Sequence, residues 1–294
     1  MGGQVGDSGW LGNVEVFDTK RENNLAVHLC KQLPNDIEES LVAKINIERR
    51  QAAACNHSAT HLLHESLREV LGNHVEQKGS FVSPDALRFD FSHFQKLTDD
   101  ELRQVEMLAN RKIRANFSLE EHRDTPIEEA KAMGAMALFG EKYGDSVRVI
   151  KFGESVELCG GTHVKSTGEI GLVRIVNEGS VAAGVRRIEA VTAEVAERAY
   201  YHQCDQLKTL KQFFNNAPDL VQAVHKSIEE NAGLKKQIEN FIEEKAVQMR
   251  QTLLDTAFDI NGVKVARFLG EASPEIVRSL VAFLKGKFAN EKFV

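Results

Sequence analysis

Cysteine is scarce in this sequence, long apolar runs are missing, and basic residues do not outnumber acidic ones. Each shortage removes a class of protein. Four cysteines, Cys30, Cys55, Cys159 and Cys204, are scattered over 294 residues. That is unlike the dense spacing of a secreted disulfide scaffold, so reduced thiols are expected. No apolar run approaches the roughly 18 residues that a membrane span requires. The N-terminal MGGQVGDSGW has neither the basic start nor the apolar stretch of a secretory signal. The expectation is a cytoplasmic protein with no membrane partner. A net charge of −6 argues against a protein that coats nucleic acid nonspecifically, because such binding neutralises many phosphates. It leaves room for a local basic patch. What remains is an ordinary globular composition at a length that suits about two domains.

Glycine marks the internal boundaries. The first residues are rich in it, and GGQVGDSG reads as a turn between strands, expected to fall inside a longer protein. LAVHLC (25–30) and SLVAKINI (40–47) alternate as short strands before a helical stretch from about Glu48 to Leu71. LRFDFSHF (87–94) places Leu87, Phe89 and Phe91 on one face of a strand. Thr98 followed by Glu101 reads as the capping box of the next helix. Further strands are expected at 147–152, 170–177 and 185–192. After Thr192 glycine nearly disappears and apolar residues take helical spacing, as in Val221, Val224, Ile228, Leu234, Ile238, Phe241 and Met249. Pro218 is expected to split this arm into two helices. Its apolar stripe leaves two readings, an arm packed on its own neighbour and an oligomerising coiled coil. FDINGVKVARFLG then reads as a hairpin and SPEIVRSLVAFLKGKF as a capped helix. The expected fold class is α+β: a small N-terminal β module resembling part of a barrel (1–47), a mixed α/β two-layer domain (48–192), a helical arm (193–256) and a truncated α/β tail (257–294).

Two short motifs carry metal-binding chemistry. In HSATHLLH, His57 and His61 lie four residues apart on the expected helix. The second side chain is then rotated by about 40° and advanced by about 6 Å, so both imidazoles can reach one ion. In CGGTH, the paired glycines allow a tight turn that aims Cys159 and His163 at a common point. An HxxxH alone is common on amphipathic helices, but three imidazoles and one thiolate form a set suited to Zn²⁺. His64, a turn further on and about 10 Å from His57 along the axis, suits a supporting or packing role. Cys55 points to the other side of the helix and reads as core. The HExxH of zinc proteases is not matched, because HSATH lacks the glutamate.

HSATHLLH, CGGTHV, GGQVGDSG, QKGSFV, RFDFSH, ALFGEKYGD and VAAGVRRIEAVT, in that family's order, resemble the editing domain of bacterial alanyl-tRNA synthetases over residues 1 to about 192. The arm and tail resemble the linker and the start of the C-terminal domain. Threonyl-tRNA synthetase editing domains also pair HxxxH with CxxxH, and free-standing deacylases are near neighbours, but CGGTHV and the long arm resemble the alanyl branch. The resemblance implies an ester hydrolase that removes serine or glycine mischarged onto tRNA(Ala), with the 3′ end of that tRNA as partner. It makes His57, His61, Cys159 and His163 zinc ligands. It also implies that Thr60 bonds the serine hydroxyl, that Gln77 lies near the scissile ester, that Gln77, Thr60 and Cys159 are the catalytic candidates, and that Gly2, Gly3 and Gln4 face the tRNA end. The parent enzyme would join alanine to tRNA(Ala) with ATP, an activity not expected of this chain by itself.

For the tRNA, Arg186, Arg187, Lys165 and Arg174 are the nearest basic residues in sequence, and a strand sends Arg186 and Arg187 to opposite faces. The contrasting expectation is a noncatalytic tRNA-binding or oligomerising piece with a structural zinc. Hydrolytic editing has a physical motive. A pocket shaped for alanine gains only roughly 1–3 kcal/mol against glycine or serine, so a second site that tests the hydroxyl is needed.

Overall fold

The computed structural model describes residues 3–23, 25–35, 40–136 and 144–289. Gly2 and most of ALFGEKYGD fall outside the described residues. Two compact units form, Met1–Cys204 and Asp205–Val294.

The first unit opens with β1 (Gly9–Leu11), β2 (Val14–Glu22), β3 (Leu25–Cys30) and β4 (Ala43–Ile45), an antiparallel sheet in the order β3-β2-β1-β4. Val14 and Val16 alternate inward from β2 and are buried. In place of part of a barrel this sheet is open, its β1 and β4 being only three residues long. The GGQVGDSG segment is not a simple turn. Gln4 makes a parallel bridge to Val82, with Val82 N donating to Gly3 O and Val5 N to Val82 O, both at 2.9 Å.

Helix α1 (Ile47–Leu71) follows, capped by Asn46, whose side chain accepts from Arg49 N at 3.0 Å, and ended by Gly72 at φ 112°. From Ala53 to His64 every residue of α1 is buried. Small residues such as Ala53, Ala54, Ser58 and Ala59 let the helix approach its neighbours closely. Next come β5 (Gln77–Val82), β6 (Leu87–Ser92) and α2 (Asp99–Arg114), the last with the expected Thr98–Glu101 capping box. β7 (Glu120–Pro126), α3 (Ile127–Ala132), β8 (Ser146–Phe152) and β9 (Ser155–Leu158) lead to a 3₁₀ turn at Thr167–Ile170. β10 (Val173–Ala182) and β11 (Val185–Thr192) complete the unit. The strand expected to start at 170 therefore begins at Val173, because Ile170 belongs to the turn.

These strands form two antiparallel sheets, β10-β11-β6-β5 and β7-β8-β9. Leu87, Phe89 and Phe91 of β6 and Ile188 and Ala190 of β11 meet Leu62, Leu63 and Leu67 of α1 and Val105, Ala109 and Ile113 of α2 in one buried cluster. This is the helix-on-sheet, α+β arrangement that the alternation of apolar positions implied. It fixes α1, the helix that carries the histidines, from below.

The arm consists of α4 (Ala193–Phe213) and α5 (Leu220–Asp255), interrupted around Pro218 as expected, with Asp219 capping α5. Val221, Ile228, Leu234, Ile238 and Phe241 are exposed, so this part of the stripe is not packed against a neighbour in the way one reading required. The C-terminal part of α5 is different: Ala246 and Leu253 pack on Ile276, Leu280 and Leu284 of α6 (Pro274–Lys287). Between them lies the expected hairpin, β12 (Phe258–Ile260) and β13 (Val263–Val265), turned by Asn261 and Gly262, both at positive φ.

Candidate metal centre

The two motifs converge. One ligand atom from each of His57, His61, Cys159 and His163 lies within 4.8 Å of every other. His57 Nε2 and His163 Nε2 each approach Cys159 Sγ to 3.3 Å. The three imidazoles surround the thiol, with ring centroids 4.4 to 5.4 Å apart. His57 and His61 reach this point because they occupy one face of α1. Cys159 and His163 reach it because β9 delivers the CGGTH loop alongside that face. Arg148, on β8, pins the loop by donating from Nη1 to Cys159 O at 3.0 Å and Gly161 O at 2.6 Å. Glu121 holds Arg148 in turn through Nε at 2.7 Å.

Each histidine has a partner behind it. His57 Nδ1 lies 2.7 Å from Gln4 Oε1, and His163 Nδ1 lies 3.1 Å from Ser58 Oγ, which also accepts from Val164 N at 3.2 Å. Behind His61 stands the buried carboxylate of Glu157. His61 Nδ1 is 3.5 Å from Glu157 Oε2, an electrostatic contact without hydrogen-bond geometry. His64 Nδ1 is hydrogen-bonded to Glu157 Oε1 at 2.9 Å. His64 is buried and lies outside the four-residue cluster. Cys55 is buried, directs Sγ at Glu169 O 3.5 Å away, and is pushed up to about 11 by burial, so it is a core thiol.

The electrostatics favour a ligand set. Burial alone would raise the Cys159 thiol, but hydrogen bonds from His163, His57 and His61 outweigh it and hold the group down at about 2, which favours the thiolate. Burial likewise opposes charge on His61, yet Glu157 and the Cys159 sulfur raise it to about 9. Burial, reinforced by the neighbouring imidazoles, pushes His163 down to about 3. The same surroundings thus favour a thiolate on Cys159 and an imidazolium on His61. A convergent thiolate and three imidazoles fit a soft-to-borderline divalent metal.

Metal binding must displace the His61 proton. The sign is fixed by the raised value: below about pH 9 the proton is present and competes with the metal. Apparent affinity is expected to rise about tenfold per pH unit between pH 7 and 9 and to level off above 9. Calorimetry in buffers of different ionisation enthalpy should count about one proton released per ion at pH 7. Release of none would contradict this assignment.

The remaining expected site residues are placed as follows. Thr60 is buried beside His61 and donates its hydroxyl to Asn56 O at 2.9 Å. Gln77 begins β5 and donates from Nε2 to Ser80 Oγ at 3.2 Å. Gly3, at φ 73°, abuts Ser80, where a Cβ would fall 2.0 Å from the carbonyl oxygen. Arg186 is paired with Glu178 at 2.5 Å and Arg187 with Asp90 at 2.6 Å, so the two do point to opposite faces. Arg174 lies 3.8 Å from Glu106. A cleft of about 910 Å³ opens beside the centre, bordered by Gln4–Asp7, by Asp18–Glu22 of β2 and by His57, Gly160, Gly161 and Thr162. Glu157, Ser58 and Arg148 were missed by sequence reasoning. The one available signal was that Glu157 and Ser58 sit two residues before and one residue after motif ligands.

The family model described as "Threonyl and Alanyl tRNA synthetase second additional domain" matches residues 147–189, which contain Cys159 and His163. The chain is 60% identical over 98% of its length to an alanine–tRNA ligase of Parabacteroides distasonis, covering 33% of that protein. It is 57% identical over 99% of its length to one of Bacteroides fragilis, covering 34%, and 50% identical over 89% to one of Flavobacterium psychrophilum, covering 31%. The chain spans about a third of the length of these relatives. No helix among the described residues is long and apolar enough to cross a membrane.

Proposed function

We propose that this chain hydrolyses seryl and glycyl esters of tRNA(Ala) and spares the alanyl ester, with Zn²⁺ held by His57, His61, Cys159 and His163. The observation that carries this reading is the convergence of those four side chains at the edge of a cleft, in a homologue of alanine–tRNA ligases. When bound, zinc supplies positive charge that polarises an ester carbonyl or lowers the pKa of a water. The chain's own residues do the rest. The cleft has the breadth to take a terminal nucleotide and its amino acid. Gly160, where a Cβ would meet nothing within 4 Å, leaves the rim of the cleft open to an ester. Thr60 keeps acceptor lone pairs on its hydroxyl after donating to Asn56 O, and so can accept a hydrogen bond from the serine hydroxyl. Gln77 offers an amide for the ester or its attacking water.

A second reading has one observation in its favour: four protein donors are typical of a structural zinc, whereas catalytic sites usually keep a position open. Substrate discrimination separates the two. In a Thr60→Val variant, seryl-tRNA(Ala) hydrolysis is expected to fall about tenfold or more, while glycyl-tRNA(Ala), which has no hydroxyl to recognise, changes little. Equal losses on both esters, or no hydrolysis by either protein, would contradict the proposal.

A further inference from the structure

Gln4 comes from the N-terminal segment, outside both metal motifs, yet its whole side-chain amide is engaged at the metal centre. Oε1 accepts from His57 Nδ1 at 2.7 Å and from Thr162 N at 2.9 Å, and Nε2 donates to Thr162 Oγ1 at 2.7 Å. One side chain therefore fixes one of the two α1 ligands, His57, and the loop that carries Cys159 and His163. Gln4 is itself fixed by the paired hydrogen bonds of Gly3 and Val5 to Val82 of β5. An amide carbonyl can only accept, so Nδ1 of His57 must carry the proton, and the Nε2 lone pair is left facing Cys159 Sγ. That is the tautomer a metal ligand needs.

We infer that Gln4 is a positioning residue for the metal centre, setting the tautomer and orientation of His57, so that metal loading and docking of segment 3–8 onto that centre reinforce each other. The inference rests on the proposed metal reading. A metal on Nε2 makes the Nδ1 proton a stronger donor to Gln4. By linkage, whatever Gln4 adds to metal affinity, metal adds to the docking of the segment that bears Gln4. Gln4 also borders the cleft, as do Val5, Gly6 and Asp7, so the same coupling extends to one wall of the proposed substrate site.

The test uses the full chain loaded with zinc. Zinc loss to excess chelator is timed for the wild type, Gln4→Leu and Gln4→Glu, and hydrogen exchange of residues 3–8 is followed in the wild type with and without zinc. Gln4→Leu, which strands His57 Nδ1 and Thr162 N, is expected to lose zinc about 10–100-fold faster. Gln4→Glu keeps both acceptor contacts, and the Thr162 hydroxyl can turn to donate; its rate should stay within about threefold of wild type. Exchange at 3–8 should slow when zinc is bound. Wild-type kinetics in Gln4→Leu, equal acceleration in Gln4→Glu, or exchange indifferent to zinc would each overturn the inference while leaving the metal reading intact. A wild-type protein that holds no zinc would instead overturn the metal reading and the inference with it. The exchange comparison needs no variant, so a Gln4→Leu protein that failed to fold would not protect the inference.

Discussion

Alanine at position 161 is expected to cripple metal binding, whereas alanine at position 160, the other half of the same glycine pair, is expected to be nearly silent. A Cβ on Gly161 would fall 2.1 Å from His57 Cε1, 2.3 Å from His57 Nδ1 and 2.7 Å from Gln4 Oε1. His57 has little freedom to yield, being buried, bonded to Gln4 on one side of its ring and set against Cys159 Sγ on the other. The loop has little freedom either, because Arg148 grips the carbonyls of Cys159 and Gly161. A Cβ on Gly160 meets nothing within 4 Å. Gly161→Ala should therefore weaken zinc affinity by more than the ~10–100-fold typical of a lost outer partner. It should also lower stability by the ~1–3 kcal/mol of a forced overpacking. Chelator competition and thermal melts measure both effects. Indistinguishable affinities for the two variants would show that the CGGTH turn is not held as described.

Cys159→Ala is expected to abolish both stoichiometric zinc and hydrolysis while leaving the first unit folded. The thiolate is the common neighbour of all three imidazoles, and without it they share no anion. The fold has other support. The cluster built on Leu62, Leu63, Leu67, Phe89, Phe91, Ile113 and Ile188 is fully buried and contains no metal ligand, and Cys159 packs only at its margin. A melting transition that stays cooperative alongside lost hydrolysis would assign the ion to catalysis. Loss of the cooperative transition would assign it to structure, in keeping with the four-donor set.

The two motifs were readable because each is local. Spacing of four on a helix, or across a glycine pair, fixes direction without knowledge of the fold, and the donor types then name the chemistry. β6 and the capping box of α2 were readable for the same reason, since alternation and a cap are short-range patterns. What was not readable depends on distant pairing. Gln4 meets His57 across 53 positions, Glu157 meets His64 across 93, and Ser58 meets His163 across 105. None of these residues has a pattern of its own. β7 also escaped, since EEHRDTP lacks apolar alternation and is held as a strand by its pairing with β8. β9 is only four residues long, too short for periodicity to register. GGQVGDSG has the composition of a turn, yet its Gln4 bridges to Val82 of β5, a pairing no local pattern announces.

The measurement that bears most directly on the proposed activity is the rate at which this chain hydrolyses seryl-tRNA(Ala) and alanyl-tRNA(Ala), prepared on the same tRNA, with and without a zinc chelator. The account predicts that the seryl ester is lost faster than the alanyl ester and that the chelator removes the difference. Hydrolysis of neither ester by zinc-loaded protein, or equal hydrolysis of both that is indifferent to the chelator, would contradict it.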